Sequence, residues 1–481
     1  MTDHRPAPGA CRRLPLAVLL VVLLAACGMP GSAGSADRPP APPRVERKPL
    51  PDGPTVLRPD IAVRKLADMG ANAVKLAHHA ADNAVYVLHV HDGLRRVDLG
   101  SGDVENVAGV AELFGDGVPS GMAIGPDGSL YVVANRRASD VETQGLVVRG
   151  TASGGTWSWR KLASSEPYQL GGTNFDHLFN GIAVSPDNRW VYIASGSRTD
   201  HGEVESNEGA FPDAREVALT ARIFRVPADA QELVLPNDEA KLDAQELVYA
   251  RGTRNAYDMA FAPNGDLLAI DNGPDADYPD ELNWIREGGH YGFPWRFGAQ
   301  DNPQQFPDYD PADDKRLNED FVAVQRGTYA NDPEFPTAPG EFLDPIANLG
   351  PDGNQTRADN GSVHELEDGQ ALATFTPHRS PLGLVFSTDE RMPADLRGDD
   401  STISAFVLSW GSAGGSLSDR GQDLLHLALR KTGENYESAT TQVAREFNNP
   451  IDAVLVENRL YVLDFGKDGT IWELAFGQAE G

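Results

Sequence analysis

Three stretches of this chain place ionisable residues just before a short apolar run. Asp176-His177 precedes Gly181-Ile182-Ala183-Val184, Arg254-Asn255 precedes Met259-Ala260-Phe261, and His378-Arg379 precedes Pro381-Leu382-Gly383-Leu384. An imidazole takes up a proton near neutral pH, and a carboxylate such as Asp176 beside it would orient the ring. A fixed guanidinium suits an anionic ligand or a developing oxyanion. After the second stretch come Asp271-Asn272-Gly273-Pro274 and then Asp275, Asp277, Asp280 and Glu281. A Gly-Pro turn can present carbonyls to a hard cation, and carboxylates this close repel unless water or a cation lies among them. Each signal has a plain alternative: a structural His, an Arg paired with an acid, a simple turn. Their recurrence at one position in three segments sets them apart.

The positioning elements are legible as a repeat. Gly121-Met122-Ala123-Ile124-Gly125-Pro126-Asp127-Gly128 leads into Leu130-Tyr131-Val132-Val133. Gly181 to Asn188 leads into Val191-Tyr192-Ile193, and Asp258 to Gly265 into Leu267-Leu268-Ala269-Ile270. Val74 to Val87 and Asp452 to Leu463 repeat the pattern, and Leu382 to Asp389 is a looser copy. Each copy is a strand, a tight turn and a second strand. Repeated hairpins, each followed by more strand-like sequence, predict radial closure: an all-β, six-bladed β-propeller. In it, the starts of the inner strands, and with them His177, Arg254 and His378, would face a common channel mouth. The wide spacing before the fifth copy is taken up by 298–348, rich in Pro, Asp, Asn and Gln. It reads either as a lid-like insertion or as an unstructured loop.

Taken together, these motifs resemble the glucose/sorbosone dehydrogenase family, the six-bladed propellers that include soluble PQQ-dependent sugar dehydrogenases. The resemblance runs through Arg251 to Asn255, Asp271 to Pro274, Asp280 to Asn283 and Gly288 to Pro294, with His177 and His378 to Phe386 beside them. It implies that His177 is the general base, with Asp176 as its acidic neighbour. It implies quinone contacts from Arg254 and Asn255, with His378 and Arg379 as further cofactor contacts. It also implies Ca²⁺ on the carbonyls of Gly273 and Pro274, and a second calcium region at Glu281 and Tyr291. The chemistry agrees: Ca²⁺ polarises a quinone carbonyl, and Arg254 stabilises the charge left when hydride arrives. The sequence departs from the family where basic side chains of the last blades meet the cofactor's carboxylates. Phe406 to Gly411 and Asn448 to Asp452 contain no Lys or Arg, leaving Arg379, Arg420 or Arg445 to compensate. Asp116 stands near where a glutamine is expected, and an acid there would repel PQQ.

The 481 residues carry a net charge of −30, which disfavours nucleic acid and anionic membrane surfaces as partners. A basic start, the apolar run Leu14 to Ala26 and the sequence Leu24-Ala25-Ala26-Cys27 form an export signal of the bacterial lipobox pattern. Residues 1–26 are thus expected to be a signal peptide and Cys27 the lipidated first residue of a membrane-anchored lipoprotein of the bacterial cell envelope. A Pro/Gly/Ser-rich tether would run over 27–60. No later segment reads as membrane-spanning, and 61–478 would form the propeller. The leading functional reading is an anchored PQQ- and Ca²⁺-dependent oxidoreductase for a sugar or related alcohol or aldehyde, passing electrons to an external acceptor. Its alternatives are a calcium-dependent propeller hydrolase of lactonase type and a non-catalytic ligand-binding propeller.

Overall fold

The computed structural model describes residues 53–367, 370–411, 416–466 and 468–477. The expected signal peptide, Cys27 and most of the tether lie outside these residues. The tether's last residues are already paired: Thr55–Val56 runs antiparallel to the outer strand of blade five.

The six hairpins of the repeat become the inner two strands of six blades. Blade one starts with Ala73–His79 and Ala84–His89, blade two with Val118–Ile124 and Leu130–Arg137, and blade three with Phe179–Val184 and Trp190–Ser195. Blade four starts with Asp258–Phe261 and Leu267–Asp271, blade five with Pro381–Ser387 and Thr402–Ser409, and blade six with Pro450–Val456 and Arg459–Asp464. The repeat's turns carry left-handed backbone at Asn83, Gly128, Asn188 and Gly265, which is why Asn or Gly stands there. Ile61–Asp68 pairs with Thr470–Phe476, so the start of the propeller completes blade six and closes the ring. Blade four has only three strands, and the chain leaves it after Glu281–Ile285 into the insertion. Apolar faces of neighbouring blades pack together, as where Leu268, Ile270 and Leu282 of blade four meet Val407, Leu425 and Leu427 of blade five.

The inner strands touch in sequence around the axis, and blade six touches blade one. There the repeat has a steric logic. Lys75, Gly121, Gly181, Asp258, Gly383 and Asp452 hold corresponding places in the six inner strands. A β-carbon at Gly121 would stand 1.9 Å from the Asn180 carbonyl, and one at Gly181 would stand 2.6 Å from that of Ala256. The other three positions carry charge instead. The Lys75 ammonium, 2% exposed, lies 3.4 Å from Asp258 Oδ1 and 4.0 Å from Asp452 Oδ1, against the Tyr257 ring. Asp258 and Asp452 also accept the backbone N–H groups of Leu384 and Leu76. One ion triad therefore ties blades one, four, five and six on the axis.

Lys75→Met leaves the buried Asp452 and the part-buried Asp258 without a countercharge, and a loss of about 3–5 kcal/mol is expected at pH 8. Burial, against the pull of Lys75, pushes the Asp452 carboxyl up to about 7. A folded value above the unfolded one means its stabilising contribution is full below about pH 4 and lost as pH rises through about 7. The variant's deficit should therefore shrink at pH 5. Denaturant melts at both pH values check this, and an equal deficit would mean that charge is not the cause.

Candidate active site

In an antiparallel hairpin the start of the first strand and the end of the second lie at the same end of the blade. His177, Arg254 and His378 stand before inner strands, while Ser197 and Gly273 stand after the strands that pair with them. All these segments meet on the axis, around a cleft of ≈ 1060 Å³ counted to its open mouth. His177, Arg254, Asn255, Gly273 and His378 line it, with Asn180, Tyr257, Asn272, Asp275, Asp280, Ser380 and Trp410 among their neighbours. Amides stitch the blades together at this level. Asn135 donates to the Phe179 carbonyl, Asn180 to Asn255 Oδ1, Asn272 to the Pro381 carbonyl, and Asn449 to that of Trp410.

The His177 ring has a defined tautomer. Ser197 Oγ spends its proton on the Thr199 carbonyl at 2.7 Å, so it accepts at 3.1 Å from His177 Nδ1. Nδ1 therefore carries the hydrogen, and Nε2 keeps its lone pair on a ring that lines the cleft. Burial first, and the Arg254 guanidinium second, push this histidine down to about 3, so it is neutral at pH 7. Gly196 permits the arrangement, since a β-carbon there would stand 2.4 Å from His177 Cβ.

Asp176, expected beside the ring, turns the other way. Its carboxylate accepts the backbone N–H groups of Gly171, Gly172 and Thr173 and clamps that loop, with burial pushing it up to about 7. Ser197 takes the orienting contact instead. Arg254 is buried and held on three sides: Nη2 donates to Asp200 Oδ1 at 2.7 Å, Nε to the Asp200 carbonyl and Nη1 to the Asn272 carbonyl. Burial opposes ionisation of Asp200, but Arg254 and His201 hold its carboxyl below the usual range. Asp271 accepts the N–H groups of both Arg254 and Asn255 and so fixes this pair's backbone.

His378 lines the cleft and shares a 3.0 Å contact with Asp277, which raises it above the ordinary histidine value against the effect of burial. Its neighbour Arg379 does not reach the cleft. It is 1% exposed and bound to Asp419, Asp423 and Ser409. Arg420 and Arg445 are exposed outside the lining, so the blade-five wall offers Ser380, Leu382 and Trp410. Asp116 is also exposed and outside the lining, and the acids that do face the cleft are Asp275 and Asp280.

Around Gly273 oxygen donors converge. A β-carbon there would meet the carbonyls of Tyr278 and Pro279 at 3.2 Å and Asp280 Oδ1 at 3.3 Å. The Pro274 carbonyl accepts from the Ala276 N–H. This oxygen-rich turn suits a hard cation. Behind it, Glu281 and Tyr291 border a smaller pocket with Asp271. The Tyr291 hydroxyl is spent, donating to the Trp284 carbonyl and accepting the Arg286 N–H. Burial and then Asp271 push Glu281 up to about 8. Among the described residues, no three His, Cys, Asp or Glu side chains are grouped to hold a metal ion, so a cation here would also draw on carbonyls.

Sequence reasoning missed Ser197 and Asp200. Both lie in the polar run Ser197-Arg198-Thr199-Asp200-His201 that follows a blade-three strand, at the blade end where His177 stands.

This is a six-bladed propeller with a His/Arg cleft on its axis. Residues 126–316 match the family described as Glucose / Sorbosone dehydrogenase. Over that stretch, under half of its length, the chain is similar to this family. A curated relative, quinoprotein glucose dehydrogenase B of Acinetobacter calcoaceticus, is 26% identical over 270 residues, covering 50% of this chain and 54% of the relative. The chain thus matches about half the length of that relative. The soluble aldose sugar dehydrogenase of Escherichia coli, solved in its apo form, superposes with a TM-score of 0.54 at 14% identity, covering 86% of this chain and 99% of that one. The holo PQQ domain of pyranose dehydrogenase from Coprinopsis cinerea gives 0.55 at 13% identity, covering 89% and 98%. At these identities the solved structures establish a shared fold.

Gly196→Ala should keep the propeller and displace the His177 ring. The imidazole ¹H–¹⁵N spectrum reads this directly, and an unchanged Nδ1–H signal would show that the close approach is not limiting.

Proposed function

We propose that this chain is an exported, lipid-anchored dehydrogenase that oxidises a sugar or a related alcohol or aldehyde with PQQ and Ca²⁺. The observation that carries the reading is the convergence of His177, Arg254, Asn255, Gly273 and His378 on one axial cleft. The family and the quinoprotein relative support it. An external acceptor takes the electrons, and Cys27 holds the protein to the membrane.

The donor set fits the cofactor pair in a particular way. Arg254 would meet a polyanion with positive charge, and Asn255 and His378 would add polar contacts. Asp275 and Asp280 on the same lining oppose it. Burial and then Asp200 push Asp275 up to about 6, a sign of crowded negative charge. A divalent cation at the Gly273 and Pro274 carbonyls would offset these acids, so a tricarboxylate should depend on Ca²⁺ for binding. Glu281 and Tyr291 would frame the second calcium region.

Bound PQQ with Ca²⁺ supplies a two-electron acceptor for hydride from the substrate carbon. The chain's own residues do the rest. Neutral His177, held by Ser197, takes the substrate hydroxyl proton at Nε2. Arg254, held by Asp200 and Asn272, keeps positive charge fixed where negative charge develops.

Titration of the apoprotein with PQQ, with Ca²⁺ and with EGTA, followed by dye reduction on an aldose panel, tests the reading. Binding should fall at least about a hundredfold in EGTA. His177→Ala should lower kcat by about 10²–10⁴ with cofactor binding retained. Lactone hydrolysis without PQQ would favour the hydrolase. Absence of PQQ binding and of either activity would favour the ligand-binding propeller, towards which the absence of a lysine or arginine from the blade-five wall, among the described residues, points. Loss of radiolabelled palmitate incorporation in Cys27→Ser tests the anchor.

A further inference from the structure

We infer that the insertion after blade four is a buttress of the cleft, and that Tyr329, which it carries, is a positioning residue for Arg254 and the Gly273–Pro274 turn. The inference rests on the functional reading above and extends it to a segment outside the repeat.

The insertion is folded. It contains the short helix Val322–Arg326, and Ala323 and Tyr329 join Phe175, Tyr278, Phe293 and Phe297 in an apolar cluster beside the cleft. Its contacts fall on groups that shape the site. The Ala323 N–H donates to Asp275 Oδ2 at 3.1 Å, and the Asp277 N–H donates to the Arg316 carbonyl at 2.9 Å. Phe321 packs on the His378 ring at 4.4 Å between centroids.

The fourth contact is the deepest. The Tyr329 hydroxyl donates to Asp200 Oδ2 at 3.2 Å, and its ring stacks on His201 at 3.8 Å. Asp200 is fully buried and shared by four donors: Tyr329, His201 Nδ1 at 2.8 Å, the Asp275 N–H and Arg254 Nη2. One carboxylate thus sets the direction of the Arg254 guanidinium and the position of the residue just after Gly273–Pro274. A carboxylate has about four acceptor positions, so with four donors placed, loss of one frees it to rotate. Tyr329 never reaches the cleft lining, so it acts only through Asp200. These links set the insertion behind the wall as a brace, with none of its residues in the lining.

The test is Tyr329→Phe, which keeps the ring stack and removes the hydroxyl. The control is Tyr309→Phe, whose hydroxyl donates to Asp314 within the insertion. In ¹⁵N-arginine-labelled apoprotein, exchange of the Arg254 Nε–H, which bonds the Asp200 carbonyl, should quicken about fivefold, the worth of one hydrogen bond. PQQ binding in Ca²⁺ should weaken by about the same factor, and kcat should fall with the sugar KM within about twofold. Melting temperature should fall by no more than about 3 °C, the worth of that one hydrogen bond, and the control should change none of these readings. Unchanged Arg254 exchange in Tyr329→Phe overturns the inference, as do changes that only follow a lowered melting temperature. If the wild-type protein does not bind PQQ, the functional reading fails, while the exchange measurement still decides the buttress.

Discussion

Six strands cannot all bring side chains to one axis. At the level of Lys75, Gly121, Gly181, Asp258, Gly383 and Asp452, two positions must be bare, because the carbonyls of Asn180 and Ala256 already occupy the space a β-carbon would need at Gly121 and Gly181, and at Gly383 one would be tight at 3.2 Å from Asp452 Cα. The other three hold opposite charges that interlock. A buried ion triad is not a strong source of stability, since desolvation consumes most of the Coulombic gain. What it supplies is uniqueness, because a lysine between two aspartates from different blades fixes their relative position. The cleft above depends on that placement, for Val74, Ser120, Asn180, Tyr257 and Leu382, each one residue before these positions, line it.

From there the site follows from strand polarity. Antiparallel pairing brings the start of one strand beside the end of the next, so Asp271 can hold the backbone of Arg254 and Asn255, and Ser197 can hold His177. Glycine again sets the spacing, at Gly196 under His177. The amides that cross four of the six blade boundaries are neutral, so they join the blades without adding charge to the cleft. Its charge comes from few groups, and the negative ones are crowded. Burial raises Asp271, Asp275, Asp280 and Glu281 together, the electrostatic condition that a bound divalent cation relieves.

The basic side chains of this chain show why residue type alone is a poor guide to role. Arg254, Arg379 and Arg198 are all buried, yet only Arg254 lines the cleft. Arg379 neutralises Asp423 and Asp419 inside blade five. Arg198 donates to the carbonyls of Gln169, Leu170, Glu205, Ala214 and Arg215 and ties loops together. The insertion likewise spends its polar groups inward, on Asp200, Asp275 and Asp277, as well as on solvent.

Much of the architecture was written in the sequence, because a propeller repeats one local pattern and its turns demand Asn or Gly at set places. The inner strands and the common level of His177, Arg254 and His378 were legible for that reason, and so was the Gly273-Pro274 turn. The direction of a side chain was not. Asp176 and Arg379 adjoin residues that line the cleft, yet each found its partners elsewhere, for the backbone beside them takes left-handed steps at Leu178, His378 and Ser380 that no residue type there announces. Ser197 and Asp200 were silent because their meaning lies in contacts with His177, Arg254 and Tyr329, up to 129 residues away in the chain. The strand that closes blade six carries no turn of the repeat, and only pairing with Thr470–Phe476 gives it a place. Local pattern fixed the blades; which groups face each other across the axis was decided when the ring closed.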